Sequence, residues 1–90
     1  MIDCVVKCYI KNNSGKVIQV KKHCKYPQVP FIGSDLFITD GYHLVERVIF
    51  IDNAWPEIIV ESMTTDSLDD LNEIVDVYIN DNWIHISTHK

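Results

Sequence analysis

Apolar and more polar side chains alternate along the first ten residues of the chain. Apolar residues stand at every second position: Ile2, Cys4, Val6, Cys8 and Ile10. Because successive side chains of a strand point to opposite faces of a sheet, this alternation predicts a half-buried strand. Asn and Gly at residues 12–15 favour a tight turn, and residues 17–24 are expected to form the returning strand of a hairpin.

One register of this hairpin buries the most apolar atoms, and a slip by one residue turns them all outward. In that register Ile10 faces Ile18 on the inner side of the hairpin. The remaining pairs on the inner side are Cys8 with Val20 and Cys4 with Cys24. The outer side pairs Lys7 with Lys21 and Val5 with His23.

Residues 29–50 are expected to be the centre around which the chain is organised. Prolines at positions 27 and 30 end the hairpin, because proline cannot donate to a strand ladder. Strands at 36–39 and 42–51 are predicted to be joined by a turn at Asp40-Gly41. Since the second of these is apolar on both faces, we expect a central, strongly curved strand. A loop containing Trp55 and another strand at 57–62 follow.

From residue 66 the apolar spacing becomes helical. The apolar positions are Leu68, Leu71, Val75, Tyr78 and Ile79. This spacing predicts an amphipathic helix over 66–80, with Asp66 or Ser67 as its cap and residues 80–82 as its stop. The β-branched residues between 74 and 79 keep a hairpin open as the alternative. Residues 83–87 are expected to form the last strand.

Two segments carry a family resemblance, namely VPFIGSDL at 29–36 and YHLVERV at 42–48. Over roughly residues 17–62 the chain resembles small SH3-like β-barrel domains. The chain lacks the acidic, aromatic-rich loop of the peptide-binding members and the glycine-rich loop of the nucleic-acid-binding barrels, so no binding site carries over from them.

The expected fold class is therefore mainly β, as a small SH3-like antiparallel barrel or curved sheet. The expected element order is β-β-β-β-β-α-β within one domain, residues 1–90. The alternative fold is an antiparallel sheet with the helix covering one face.

Composition bounds the environment of the protein. The longest apolar runs are far shorter than the ~20 residues of a membrane span, and no export signal is recognised at the start. Three cysteines without paired spacing favour reduced thiols over a disulfide framework. We therefore expect a cytoplasmic protein that has no membrane partner.

Catalytic and metal-binding patterns are not recognised in the sequence. The cysteines are expected to be buried, and the histidines at 23, 43, 85 and 89 share no ligand spacing. The carboxylates of the helix are expected to be solvated, so no pocket separates their pKa values for acid–base chemistry. The sequence favours a protein that is not an enzyme and has no cofactor.

Charge is segregated along the chain. Residues 1–25 hold six lysines and one acidic residue, whereas residues 26–90 hold two basic residues and twelve acidic ones. The acidic set is the outer helix side, for which we expect a basic protein partner, with nucleic-acid mimicry as one form. It comprises Asp66, Asp69, Asp70, Glu73 and Asp76, with Asp81 nearby. Trp55 is the expected anchor residue in such a contact.

The basic set is the outer side of the hairpin: Lys7, Tyr9, Lys11, Lys21, His23 and Lys25. Basic residues around an aromatic ring are typical of nucleic-acid binding, so a nucleic-acid-binding module is the alternative function. Both sets also fit surfaces that are charged only for solubility. A small accessory protein of a prokaryote or phage is consistent with the size, the acidity and the missing motifs.

Overall fold

The structure is a computed structural model that describes residues 1–39, 41–66 and 68–87. Within these ranges the chain forms seven strands and one helix. They are β1 (Ile2–Asn12), β2 (Val17–Tyr26), β3 (Asp35–Ile38), β4 (Gly41–Ile49), β5 (Glu57–Val60), β6 (Met63–Thr65), α1 (Leu68–Asn80) and β7 (Ile84–Ser87). The expected fold class, mainly β with one helix before the last strand, is confirmed.

β1 is the centre of the sheet. It pairs with β2 on one side, while β5 and then β6 lie along its other side. The strand order is β3-β4-β5-β1-β2-β7, so the sheet is open and does not close into a barrel. Two features differ from the expectation: β5 and β6 run parallel to β1, and β6 is an additional strand. The chain reverses direction at each step from β1 through β2, β3 and β4 to β5, so β5 runs in the same direction as β1. β6 follows β5 in that direction and is also parallel to β1.

The predicted register of the first hairpin is confirmed at every pair. Ile10 lies opposite Ile18, Cys8 opposite Val20 and Cys4 opposite Cys24. The side-chain amide oxygen of Asn12 accepts hydrogen bonds from the backbone N–H groups of residues 14 and 16, and Gly15 has a φ of 91°. The predicted turn therefore forms, with Asn12 accepting hydrogen bonds from the turn and glycine at the position of positive φ.

The expectation that residues 29–50 form the centre of the fold is wrong. β4 lies between β3 and β5, one strand from the edge of the sheet. Phe50 and Ile51 follow the strand and are exposed, and Leu44 is exposed within it. Gly41 belongs to β4, opposite Ile38, so the predicted turn is displaced by one residue. Asp40 lies outside the described residues.

The predicted helix is confirmed, and the hairpin alternative for residues 75–87 is wrong. Leu71 and Tyr78 are fully buried and Val75 is nearly so, whereas Ile79 is exposed. The side chain of Leu68 lies outside the described part of the structure. None of the helices in the described ranges is long and apolar enough to cross a membrane.

The helix ends in a Schellman motif. Asn82 has a φ of 70°, its N–H donates to the carbonyl of Ile79, and the N–H of Trp83 donates to the carbonyl of Tyr78. These bonds satisfy two carbonyl groups that the helix itself leaves without a donor. The predicted stop at residues 80–82 is therefore confirmed, and the last strand begins at Ile84.

The core lies on one side of the sheet only. Even-numbered residues of β1 from Cys4 to Asn12, together with Ile58 and Val60 of β5, are buried there, and α1 contacts β1, β6 and β7. On the opposite side the odd-numbered residues of β1 from Asp3 to Tyr9 are half-buried, Lys11 is exposed, and no described helix covers them. The molecule is therefore a two-layer structure with one uncovered sheet face.

Candidate interaction surfaces

The acidic helix face is a set of five carboxylates on one side of the α1 segment. Its members are Asp66, Asp69, Asp70, Glu73 and Asp76, and all five are exposed. At 3.6 residues per turn these positions lie opposite Leu71 and Tyr78, which pack into the core. The sequence therefore placed this face correctly on the surface.

Three carboxylates of this face are not paired with a cation within the described part of the molecule. Asp69, Glu73 and Asp76 have no cationic partner among the described residues, and the last turn of α1 holds no basic residue. Like charges at i and i+4, such as Asp69 and Glu73, disfavour a helix by ~0.2–0.5 kcal/mol per pair. Asp69, Glu73 and Asp76 therefore carry negative charge that no described cationic side chain offsets.

Asp81 does not belong to this face. Its Oδ2 accepts hydrogen bonds from Thr39 Oγ1 at 2.7 Å and from Lys22 Nζ at 3.2 Å. Trp83 Nε1 donates in turn to Thr39 Oγ1 at 2.6 Å. The hydrogen bond from Thr39, followed by that from Lys22, lowers the pKa of Asp81 below its ordinary value. Asp81 therefore joins the end of α1 to β2 and to the β3 end, which is a structural role.

A polar groove of about 330 Å³ lies between β6 and the acidic helix face. It is lined by Thr64, Thr65, Asp66, Asp70, Glu73 and Ile74. Three of these residues belong to the acidic helix face, so a cationic side chain that entered the groove would meet several carboxylates.

The lysine face consists of the residues predicted for the outer side of the hairpin: Lys7, Tyr9, Lys11, Lys21, His23 and Lys25. The register places all six on the uncovered side of the sheet. Several of them are paired within the molecule. Lys7 Nζ lies 3.0 Å from Glu57 Oε2, and Asp3 Oδ1 lies 2.7 Å from His23 Nε2 and 4.0 Å from Lys25 Nζ. Acidic residues of β1 and β5 thus neutralise part of this surface.

Trp55 lies against the lysine face, a contact that the sequence did not reveal. Its ring stacks on His23 with centroids 4.2 Å apart and an angle of 13°, and 49% of Trp55 is exposed. The residue predicted to be an anchor therefore lies next to His23 of the lysine face. Beside it is an open recess of about 540 Å³, lined by Val5, Asn53, Ala54, Trp55 and Glu57. No local pattern could have shown this contact, because 32 positions separate the two rings in the chain.

A second feature that sequence analysis missed is a group of exposed apolar side chains around β3 and β4. Phe37 and Tyr42 meet edge to face with centroids 5.0 Å apart, and both are exposed. An apolar groove of about 500 Å³ lies near the other end of β4, lined by Val29, Pro30, Phe31, Ile32, Val48 and Phe50. Exposed apolar side chains that cluster together often mark a contact surface, whereas single scattered ones do not.

The three thiols are free, and Cys4 and Cys8 are buried as predicted, whereas Cys24 is half-buried. Burial, then the neighbouring Cys24, raises the pKa of Cys4, so this thiol is poorly suited to act as a nucleophile. Burial and the thiol of Cys24 likewise raise the pKa of Tyr26.

The histidines are dispersed. His43 is buried, with Nε2 3.2 Å from the hydroxyl of Tyr78, and His85 is exposed. His23 lies on the lysine face, and His89 is outside the described residues. Within residues 1–39, 41–66 and 68–87, no group of three potential metal ligands converges.

Comparisons of the chain with protein-family models, with curated proteins and with solved structures returned no match.

Proposed function

We propose that this protein is a non-enzymatic protein-interaction module whose acidic helix face binds a basic surface on a partner protein. The observation that carries the proposal is a contrast between the two charged surfaces. Among the described residues, Asp69, Glu73 and Asp76 have no cationic partner. In the lysine face, Lys7, His23 and Lys25 have carboxylate partners, and Lys11 and Lys21 have none among the described residues. Charges without internal partners are the ones available to an external ligand.

Carboxylate spacing supports imitation of a nucleic-acid strand as one form of this function. Four carboxylates, from Asp69 to Asp76, extend over eight residues of helix, and the seven steps between the first and the last rise ~10 Å at 1.5 Å per residue. That corresponds to one charge per ~3.5 Å, close to the ~3.4 Å per phosphate along one strand of duplex DNA. A basic cleft that accepts a phosphate strand is therefore the partner surface that best fits the spacing.

The proposal is tested by capture of partners from a lysate of the native host on the immobilised protein, followed by mass spectrometry. A captured partner is then purified and titrated with wild type and with a triple variant, Asp69→Lys, Asp70→Lys and Glu73→Lys. We expect affinity for the partner to fall at least 100-fold in the variant and to fall steeply with salt, because both charge sets are solvated before contact.

A matched control changes the same number of charges elsewhere. Glu46, Asp52 and Glu61 are exposed and lie outside α1, so their replacement by Lys alters the net charge equally. The control is expected to retain most of the affinity. If both triple variants lose affinity equally, net charge rather than the acidic helix face is responsible, and the proposal fails. If neither loses affinity, the face is only solvated.

The second candidate function is binding of single-stranded nucleic acid by the lysine face. The contact between Trp55 and His23 favours it, because it brings an exposed aromatic ring next to lysines on an uncovered sheet. Aromatic side chains on such a surface stack bases, and lysines contact phosphates. A gel-shift assay at low salt with single-stranded oligonucleotides tests it. Tight binding by wild type, lost on substitution of Lys7, Lys21 and Lys25 by Glu, would rank this function first.

A cytoplasmic location is part of the proposal, and the three free thiols support it.

A further inference from the structure

The open sheet face, the side of the sheet away from α1, is basic over β1, β2 and β5 although the protein as a whole is acidic. On these strands the pairings place four lysines and two acidic residues, in addition to His23. The lysines are Lys7, Lys11, Lys21 and Lys25, and the acids are Asp3 and Glu57, so this part of the face keeps a net positive charge. At the β3–β4 end the same side of the sheet carries Arg47 and Asp35.

Apolar side chains lie between these charges. The pairings of β1 with β5 and of β2 with β7 add the following residues to the open sheet face: Val5, Tyr9, Ile59, Ile84 and Ile86. Ile84 is 59% exposed, and the other four are half-buried. A sheet face that faces only water is usually polar, so this mixed face has the composition of a surface that another layer covers.

The acidic helix face is opposite in charge to this surface, and α1 is short enough to lie along β1. α1 has 13 residues, which is ~20 Å of helix, and β1 has 11 residues, which is ~36 Å of strand. Val77 is 48% exposed among the carboxylates and is available to contact the apolar residues of the sheet. Two open sheet faces, by contrast, repel each other because both are basic.

We propose that a second copy of this chain docks its acidic helix face on the open sheet face. This inference rests on the proposed function, because it uses the same carboxylates and names another copy of the chain as the basic partner. The contact joins two different surfaces, so each molecule that has bound one neighbour still offers a free surface to the next. Such head-to-tail contacts produce rings or growing chains rather than closed dimers.

Sedimentation velocity of the full chain tests the proposal at ionic strengths near 20 mM and 500 mM. We expect the mean sedimentation coefficient to rise with protein concentration at low salt and to return to the monomer value at high salt, since exposed charge pairs are screened. A monomer at both salt concentrations, up to about 1 mM protein, would overturn the proposal.

Two complementary variants make the test specific for these surfaces. The helix variant carries Asp69→Lys, Asp70→Lys and Glu73→Lys, and the sheet variant carries Lys11→Glu, Lys21→Glu and Lys25→Glu. Each variant has two faces of like sign, so each alone is expected to be monomeric. Their equimolar mixture restores opposite signs at every contact and is expected to assemble again.

The controls for the mixture are the helix variant alone and the sheet variant alone, each at the total protein concentration of the mixture. Circular dichroism establishes that each variant is folded before mixing. Assembly of either variant alone at low salt, or a mixture that stays monomeric, would overturn the docking proposal.

The outcome is separable from that of the proposed function. If the protein is monomeric throughout but the helix variant loses a captured host partner, the proposed function stands and self-docking fails. If self-assembly occurs and no host protein depends on the acidic helix face, the basic partner is the chain itself.

Discussion

At the scale of single residues, the buried side of α1 is where the energetics are clearest. Tyr78 is fully buried, and its hydroxyl lies 3.2 Å from His43 Nε2 and 3.0 Å from Met63 Sδ. Its ring also packs edge to face against Trp83, with centroids 5.1 Å apart. A buried hydroxyl without a partner is costly, so these contacts explain how tyrosine occupies a core position.

Leu71→Ala is predicted to lower the free energy of unfolding by ~2–4 kcal/mol, because Leu71 is fully buried and alanine leaves a cavity. Urea denaturation followed by circular dichroism measures the change. Val77→Ala on the exposed side of the same helix is the control, with an expected change within ~0.5 kcal/mol. A loss for Leu71→Ala no larger than that of the control would contradict the observed packing of α1.

At the scale of elements, the first hairpin and the helix depend on local signals, and their ends are chemically defined. The Asn12 side chain organises the hairpin turn, and Asn82 ends α1 in the left-handed region. Asn tolerates this conformation better than other residues that have a side chain, and Gly tolerates it best. For these two asparagines we can therefore predict whether a replacement stabilises or destabilises the protein.

Asn82→Ala is predicted to destabilise the protein by ~1 kcal/mol, because alanine adopts the left-handed conformation at a cost. Asn82→Gly is expected to be neutral or slightly stabilising. Urea denaturation of both variants measures the change in the free energy of unfolding. Asn80→Ala is the control, since Asn80 is the last helical residue and alanine favours the helix there. Equal effects of alanine at positions 80 and 82 would argue against the Schellman motif.

Oxidation with diamide is predicted to link Cys4 to Cys24. These residues are directly opposed in the β1–β2 ladder, where Cα atoms are ~4.5–5.5 Å apart, a separation that a disulfide can span. Non-reducing peptide mapping by mass spectrometry identifies the link. Recovery of Cys8 linked to Cys24, or of three free thiols, would count against this prediction.

At the scale of the whole molecule, the acidic helix face and the lysine face lie on opposite sides, and some ion pairs among the described residues connect distant elements. The pair between Lys22 and Asp81 is one that does, since it joins β2 to the end of α1. With Thr39 and Trp83 it forms a small polar network that holds the β3 end, β2 and the helix end together. The network stabilises the fold where the helix layer meets the sheet.

Asp81→Asn is predicted to lower the melting temperature at pH 7. The pKa of Asp81 is lowered in the folded state, so its contribution to stability is present above the ordinary Asp pKa of ~3.9 and is lost as the pH falls through the folded value. The difference between wild type and variant should therefore shrink below about pH 4. Thermal melts from pH 2.5 to 7 measure it.

Asp52→Asn is the control for this prediction, because Asp52 is exposed, outside the network and without an ion pair among the described residues. Its effect should be small at every pH. A difference for Asp81→Asn that stays constant down to pH 2.5 would show that the carboxylate charge is not what stabilises the network.

The sequence by itself determined the elements whose signals are local. Alternation in residues 2–10, the turn at 12–15 and the helical spacing from Leu71 to Tyr78 each reflect the geometry of a single element, and the register follows from burying one side of the hairpin. The exposure of the acidic helix face follows from the same spacing, because a helix that buries one side presents the other to water.

Only the tertiary structure decided which strand is central and which surfaces meet. Parallel pairing of β5 and β6 with β1 joins residues that are about fifty positions apart, and no local pattern encodes such a partner. The same holds for Trp55 on His23 and for Asp81 on Lys22, where the sequence shows charge and size but not proximity. β4 looked central because it is apolar on both faces, yet part of that surface is exposed. Whether a strand is buried depends on the elements that pack against it, and the strand's own residues do not specify those elements.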